Sequence, residues 1–315
     1  MSDRNFMALL EARWAAGYHV CVGLDPDPDK IPKCVLSGGS DQQILASFLN
    51  PIVRATKDYV ASYKPNAAFY ERLGEQGTLA LRSIIRYIRE VAPDVPVILD
   101  GKRADIGNSN TGYVEAAFDY QKADAVTVNP YFGGESLEPF FGQTEKGIFV
   151  MCHTSNPGAA EIQDRLIIID DSNEMAYLRE VGLGNELSGT CPDCSGLYRA
   201  TSVSNHIAYL ASQRWNTNGN IDLVVGATYP DQLSQIRRIV GKQMPILIPG
   251  VGKQGGDLAA AVRAGGSNIL LNASRDILNA SNGEDFAEAA GNKARELHEA
   301  IKRILDQNLD DTTKG

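Results

Sequence analysis

Residues 96–105 read Pro-Val-Ile-Leu-Asp-Gly-Lys-Arg-Ala-Asp. An apolar run, Val97–Leu99, is followed at once by Asp100, Lys102 and Asp105. The same grammar recurs along the chain. Strand-length runs lie at HVCVGLD (19–25), VASYKPN (60–66), DAVTVNP (124–130) and GIFVMCH (147–153). Three more lie at IDLVVGAT (221–228), MPILIPGVG (244–252) and SNILLNAS (267–274). Continuous, Val/Ile-rich runs suit strands covered on both faces, as in a parallel sheet.

Helix-period stripes fill the gaps. Leu79, Leu81, Ile84, Ile85 and Ile88 form one, and Leu258, Ala261 and Val262 another. Phe286, Ala290, Ala294, Leu297, Ile301, Ile304 and Leu305 form a third, ending in a polar tail, residues 310–315, that reads as frayed. Eight strand–helix units favour an α/β fold of the (β/α)8 TIM-barrel type over an open doubly wound sheet. The expected organisation is a single domain over 1–315. One interval breaks the rhythm: more than sixty residues separate His153 from Ile221, about twice an ordinary crossover. We read an insertion at about 167–195, between strands five and six, with the unit's helix over Tyr198–Trp215.

The chain has 315 residues, 30 Lys plus Arg and 39 Asp plus Glu, a net charge of −9. With 43% apolar residues the composition is globular. The acidic balance argues against a nucleic-acid partner, which wants a basic surface. No apolar run is long enough for a membrane helix, and the N-terminus is amphipathic rather than signal-like. Five Cys, an odd count, argue against a disulfide framework and for a cytoplasmic location. Cys191-x-x-Cys194 resembles half a zinc site, but a structural site needs four ligands and His206 is the nearest other candidate. No metal is assigned there: free thiols on an insertion loop are the preferred reading, and a site built from two Cys of each chain of a homodimer is the alternative.

In such barrels the active site lies at the C-terminal ends of the strands. Polar residues gather at those ends: Asp25, Lys64, Asp100, Lys102, Asn129, His153 and Ser274. Side chains alternate along a strand, so Asp100 and Lys102 share a face and point into the mouth. Asp105 lies on the following loop, from which it can curl back or reach a neighbouring subunit. A lysine among carboxylates is held as ammonium, suited to donate a proton rather than attack as an amine. An alternating network Lys64–Asp100–Lys102–Asp105 is the expected result; an ordinary surface ion pair is the plainer alternative.

Pro249-Gly250-Val251-Gly252-Lys253-Gln254-Gly255-Gly256 leads a strand into a helix. Its backbone N–H groups suit an anion, and Arg275 after the eighth strand can clamp phosphate oxygens. Gly252, Gly255 and Gly256 suit the hinges of a closing loop. Thr154-Ser155-Asn156-Pro157-Gly158 offers hydroxyl and amide groups for a polar planar ring, although it also makes a good turn. His153 reads as a structural histidine.

Asp100-x-Lys102-x-x-Asp105-Ile106-Gly107-Asn108 resembles the active-site motif of the orotidine 5′-phosphate decarboxylase family. Val22–Asp25, Lys64–Glu71, Thr154–Gly158 and Pro249–Gly256 resemble its longer bacterial branch, in the same order along the chain. The resemblance implies cofactor-free conversion of orotidine 5′-monophosphate to UMP and CO2 in pyrimidine synthesis. It implies that Asp25 and Lys64 hold ribose hydroxyls, that Asp100 faces the substrate carboxylate, and that Lys102 protonates C6. It further implies that Ser155 contacts the pyrimidine, that Gln254, Arg275, Gly250 and Gly252 serve the phosphate, and that Ser109 faces the ligand. Asp105 would enter the site of a partner subunit, making the protein a homodimer.

Three other readings share parts of this pattern. A metal-assisted sugar-phosphate decarboxylase of the same superfamily would lose activity to a chelator. A Schiff-base aldolase would need Lys102 neutral, which its carboxylate neighbours oppose. A non-catalytic nucleotide-binding protein would not require the intact Asp100–Lys102–Asp105 set.

Overall fold

The computed structural model describes residues 4–36, 38–183, 188–190, 197–251 and 256–312. Among the described residues, eleven strands run in chain order. The first five are β1 (Val20–Gly23), β2 (Val60–Lys64), β3 (Ile98–Arg103), β4 (Ala125–Val128) and β5 (Gly147–His153). Then come β6 (Leu166–Ile168), β7 (Ser188–Thr190) and β8 (Leu197–Ser202). The last three are β9 (Ile221–Val225), β10 (Ile246–Pro249) and β11 (Ile269–Ala273).

Eight of these form one parallel sheet in the order β2-β1-β11-β10-β9-β5-β4-β3. Its ends meet: Tyr63 bridges Val97, Asn66 bridges Asp100, and the Asp100 amide donates to the Pro65 carbonyl at 2.9 Å. The sheet is therefore a near-closed (β/α)8 barrel. All eight apolar runs became barrel strands, because each is buried on both faces: inside by the barrel core and outside by helices.

The two cores divide accordingly. Outward residues such as Val22, Val126, Ile148 and Ile248 pack against the helices. Inward residues, among them Ile98, Ala125, Phe149, Val224, Leu247 and Leu270, pack together with Phe6 and Leu10. These last two come from the helix Phe6–Ala15, capped by Asn5 accepting from the Ala8 amide. The Phe6 ring meets Phe149 edge-on at 5.7 Å. The N-terminal helix thus plugs one end of the barrel and leaves the C-terminal strand ends as the open end.

The region between β5 and β9 corrects one detail. Residues 198–202 do not start a helix. They belong to β8, which pairs antiparallel with β6 and β7 in a small sheet of order β6-β8-β7. The helix begins only at Val203, where Ser202 accepts from the Asn205 amide as N-cap. Between β6 and β7 a helix, Ser172–Glu180, forms behind the Asp171 cap. Its buried Glu174 accepts from His206 Nδ1 at 2.8 Å, docking the excursion onto the barrel. That bond is where His206 is engaged. Cys191 and Cys194 lie outside the described residues. The C-terminal helix runs Phe286–Thr312, so three residues of the polar tail continue it rather than fray.

Candidate active site

The site is built at the seam where β2 meets β3. Closure there sets Lys64, the last residue of β2, beside Asp100. Lys64 Nζ donates to Asp100 Oδ2 at 2.7 Å, and Lys102 Nζ donates to Asp100 Oδ1 at 2.7 Å. Lys64 is 5% exposed in its side chain, Lys102 47%. One cation is thus structural in its burial and the other reaches open space. Burial alone would pull the Lys64 ammonium down, but the carboxylates of Asp100 and Asp25 overturn that and hold it above its ordinary range. Burial alone would lift Asp100, but Lys64 and Lys102 overturn that too and hold it below the usual carboxylate range. Asp100 is therefore an anion clamped between two cations.

Asp105 does not join this array. Its main chain is pinned by Asn110, which accepts from the Asp105 amide at 2.9 Å and donates to its carbonyl at 2.6 Å. Its carboxylate accepts from the Ile106 amide, so within one chain the charge network stops at Lys102.

A cavity of about 550 Å³ opens above the array, in the range of small-molecule sites. Asp25, Lys64, Asp100, Lys102, Ser155 and Arg275 all line it, and so does Gly250. Asp25 Oδ1 accepts from the Asn66 amide at 3.0 Å. Glycines permit the close approach of these walls. A Cβ on Gly226 would sit 2.7 Å from the Ser155 nitrogen, and one on Gly23 would sit 1.8 Å from Ser274 Oγ. Gly250 has φ +95°, and its carbonyl accepts from the Gly256 amide at 3.2 Å, pinching the neck of the β10 loop. Gly252, Gln254 and Gly255 lie outside the described residues.

Other sequence candidates sit elsewhere. Ser109 is exposed near the start of the helix Asn108–Val114 and does not line the cavity. Asn129 turns aside to accept from the Tyr131 amide. His153 is buried, its Nε2 bonded to Asp164 at 2.8 Å, the structural role expected of it. With the Gln163–Thr154 pair, at 2.7 Å to the Thr154 amide, this bond cinches the loop that carries Ser155. The cavity also recruits residues that spacing did not single out: Thr127, Asn66, Phe69 and Asn272. Thr127 left one signal, a polar residue of inward parity inside an apolar strand.

This geometry can hold a phosphate at the Gly250–Arg275 side and present a fixed cation–anion–cation array at the other. The chain matches the family described as Orotidine 5′-phosphate decarboxylase / HUMPS family over residues 18–290. The chain belongs to that family. The orotidine 5′-phosphate decarboxylase of Cupriavidus taiwanensis is 40% identical over 304 residues, covering 95% of this chain and 98% of that protein. That of Dechloromonas aromatica is 41% identical, with 94% and 98% covered. Among solved structures, the Leishmania donovani OMP decarboxylase superposes with a TM-score of 0.71 at 31% identity, covering 95% of this chain and 98% of its own. The barrel fold is thus shared with that structure.

Proposed function

We propose that this chain converts orotidine 5′-monophosphate to UMP and CO2 without a cofactor, as a cytoplasmic homodimer. The observation that carries the reading is the Lys64–Asp100–Lys102 array, its Lys64–Asp100 pair buried and its Lys102 ammonium oriented into a cavity whose lining also offers Arg275 and the Gly250 turn.

The residues take these roles. Arg275 and the β10 loop, with Gly250, Gly252 and Gln254, grip the phosphate. Asp25 and Lys64 meet the ribose hydroxyls, and Ser155 reads the pyrimidine. Asp100 faces the substrate carboxylate. Breaking the C6–CO2 bond leaves its electron pair on C6, in a ring position without an electron sink. The Lys102 ammonium stabilises that charge as it forms and then transfers a proton from Nζ to C6, which yields UMP. The resulting amine recovers a proton from solvent once product leaves. Phosphate binding supplies energy that is used at the ring.

The homodimer reading is supported by Asp105, which does not line its own cavity, and by exposed apolar side chains. Ile106, next to Asp105 in the chain, is 62% exposed, and Tyr131 (82% exposed) and the exposed Phe132 are in ring contact with each other after β4. In a dimer these residues would be covered and Asp105 delivered to the partner's site. The cytoplasmic reading rests on the free Cys21, Cys34 and Cys152 and on a chain whose described helices include none long and apolar enough to cross a membrane. Among the described residues, no feature of the cavity favours a sugar phosphate over the nucleotide, and the charged array argues against a purely binding role.

The test follows the ultraviolet absorbance of orotidine 5′-monophosphate with purified protein, with and without EDTA, and with Lys102→Ala as control. Conversion that survives EDTA and vanishes in the variant is the expected result. A folded wild-type protein that leaves the substrate unchanged refutes the proposal. For the dimer, Lys102→Ala and Asp105→Asn are each inactive alone, and mixed subunits recover about a quarter of wild-type activity, since one site in each mixed dimer is intact. A mixture that stays inactive overturns the shared site.

A further inference from the structure

Strand β4 alternates, so Ala125 and Thr127 face the barrel interior. Thr127 is 1% exposed, and its neighbours across the sheet are unusual. Register between β3 and β4 runs Leu99↔Val126 and then Arg103↔Val128. Three residues, Asp100, Gly101 and Lys102, therefore stand opposite one, Thr127. Such a bulge leaves main-chain groups without ladder partners and re-aims side chains.

The Thr127 hydroxyl fills the missing rung. Its Oγ1 accepts from the Lys102 amide at 2.9 Å and donates to Asp100 Oδ1 at 2.9 Å. The direction is unambiguous. An amide N–H only donates and a carboxylate only accepts, so the hydroxyl proton points at Asp100. Lys102 meanwhile has φ +46°, a left-handed conformation that L side chains adopt at a cost. A closed ring results: Lys102 main chain to Thr127, Thr127 to Asp100, and Asp100 back to Lys102 Nζ.

We propose that Thr127 is a positioning residue for the decarboxylation, its hydroxyl holding the Lys102 main chain in the bulge and aiming the Asp100 carboxylate at the same point. The inference rests on the function proposed above. Without the hydroxyl, the Lys102 amide is orphaned and its backbone is free to relax from positive φ. Asp100 loses one of its three donors. The proton donor and the anion then no longer flank the C6–carboxylate bond together.

The test compares Thr127→Val, which keeps the shape and removes the hydroxyl, with Thr127→Ser, which keeps the hydroxyl. Losing a hydrogen bond to a charged group corresponds to roughly 10–100-fold in rate. We expect kcat to fall by about that factor in the Val variant while UMP affinity stays within about threefold, and the Ser variant to recover most of the loss. A Val variant with wild-type kcat, equal losses in kcat and UMP affinity, or failure of Ser to rescue overturns the proposal. If the Val variant does not fold, Thr127→Ala against Thr127→Ser makes the same comparison. Crystal structures of the variants separate this proposal from the functional one. If wild-type protein does not decarboxylate the nucleotide, the functional reading has failed. Lys102 leaving positive φ without the hydroxyl then still supports its hold on the bulge, and an unmoved Lys102 and Asp100 overturn it.

Discussion

Asp222 is a carboxyl in the wrong place by ordinary rules. It lies on β9 with its side chain on the inward face shared with the cavity residue Val224. It is 1% exposed, and neither of its oxygens has a hydrogen-bond partner. Burial pushes its pKa well above the ordinary carboxylate range. The perturbation is Asp222→Asn, nearly isosteric and without an ionisation. The folded pKa is raised, so the folded state binds a proton that the unfolded chain, with a pKa near ~3.9, releases. The stability this group contributes is present below about pH 4 and is lost as pH rises. While the buried carboxyl keeps its proton, the loss runs at about 1.4 kcal/mol per pH unit as pH rises from about 5 toward 7. The Asn variant lacks that slope. Urea unfolding of both proteins across this range, followed by circular dichroism, should show the variant gaining on the wild type at about that rate. Stability curves that stay parallel would refute the reasoning, because they would mean that Asp222 does not take up a proton on folding.

Asp100→Asn and Lys102→Ala should both abolish turnover yet differ in stability. Asp100→Asn leaves the buried Lys64 ammonium unpaired and should cost about 3–5 kcal/mol, whereas Lys102 is half-exposed and its loss should cost about 1 kcal/mol or less. Equal denaturation midpoints would contradict this. Because the Asp100 pKa is depressed, its contribution is present above the unfolded value of ~3.9 and fades only in stronger acid, so the wild-type and Asp100→Asn curves should converge there. Gly226→Ala drives a Cβ into the Ser155 backbone and should weaken UMP binding roughly tenfold, measured by calorimetry; unchanged affinity would detach Ser155 from the ring. Arg275→Ala should lower kcat as well as affinity if phosphate binding energy is used at the ring, and a change in KM alone would show uniform binding instead.

The fold was legible because its grammar is one-dimensional. Runs such as Ile98–Leu99 and Ile246–Ile248 are apolar at every position, and only a sheet covered on both faces makes use of that. The array was legible for a related reason: a strand that ends in charge at a barrel mouth has few places to put it, which brought Asp25, Lys64, Asp100 and Lys102 together. What stayed hidden depends on register. The β3–β4 bulge cannot be counted from either strand alone, so Thr127 looked like one more β-branched residue. The tie of His153 to Asp164 joins positions eleven apart through a loop with no period. Residues 198–202 read as helix because they precede one, and the pairing of 200–202 with β6 is set by a segment more than thirty residues earlier.

Packing alone does not account for the ends of β2 and β3. A buried ion pair such as Lys64–Asp100 contributes little net stability, and apolar residues of the same volume often do as well or better. The barrel's other end shows that solution, with Phe6, Leu10 and Phe149 filling the interior. A left-handed Lys102 adds a further cost at the mouth, and the hydroxyl of Thr127 is occupied in holding it there. These costs fall on the residues that line one cavity. They are what preorganisation requires: charges desolvated and aimed before substrate arrives need no rearrangement when a carbanion forms beside them. The fold thus concentrates its unfavourable terms at the strand ends where chemistry can use them, and lets the apolar core of the remaining barrel supply the stability that tolerates them.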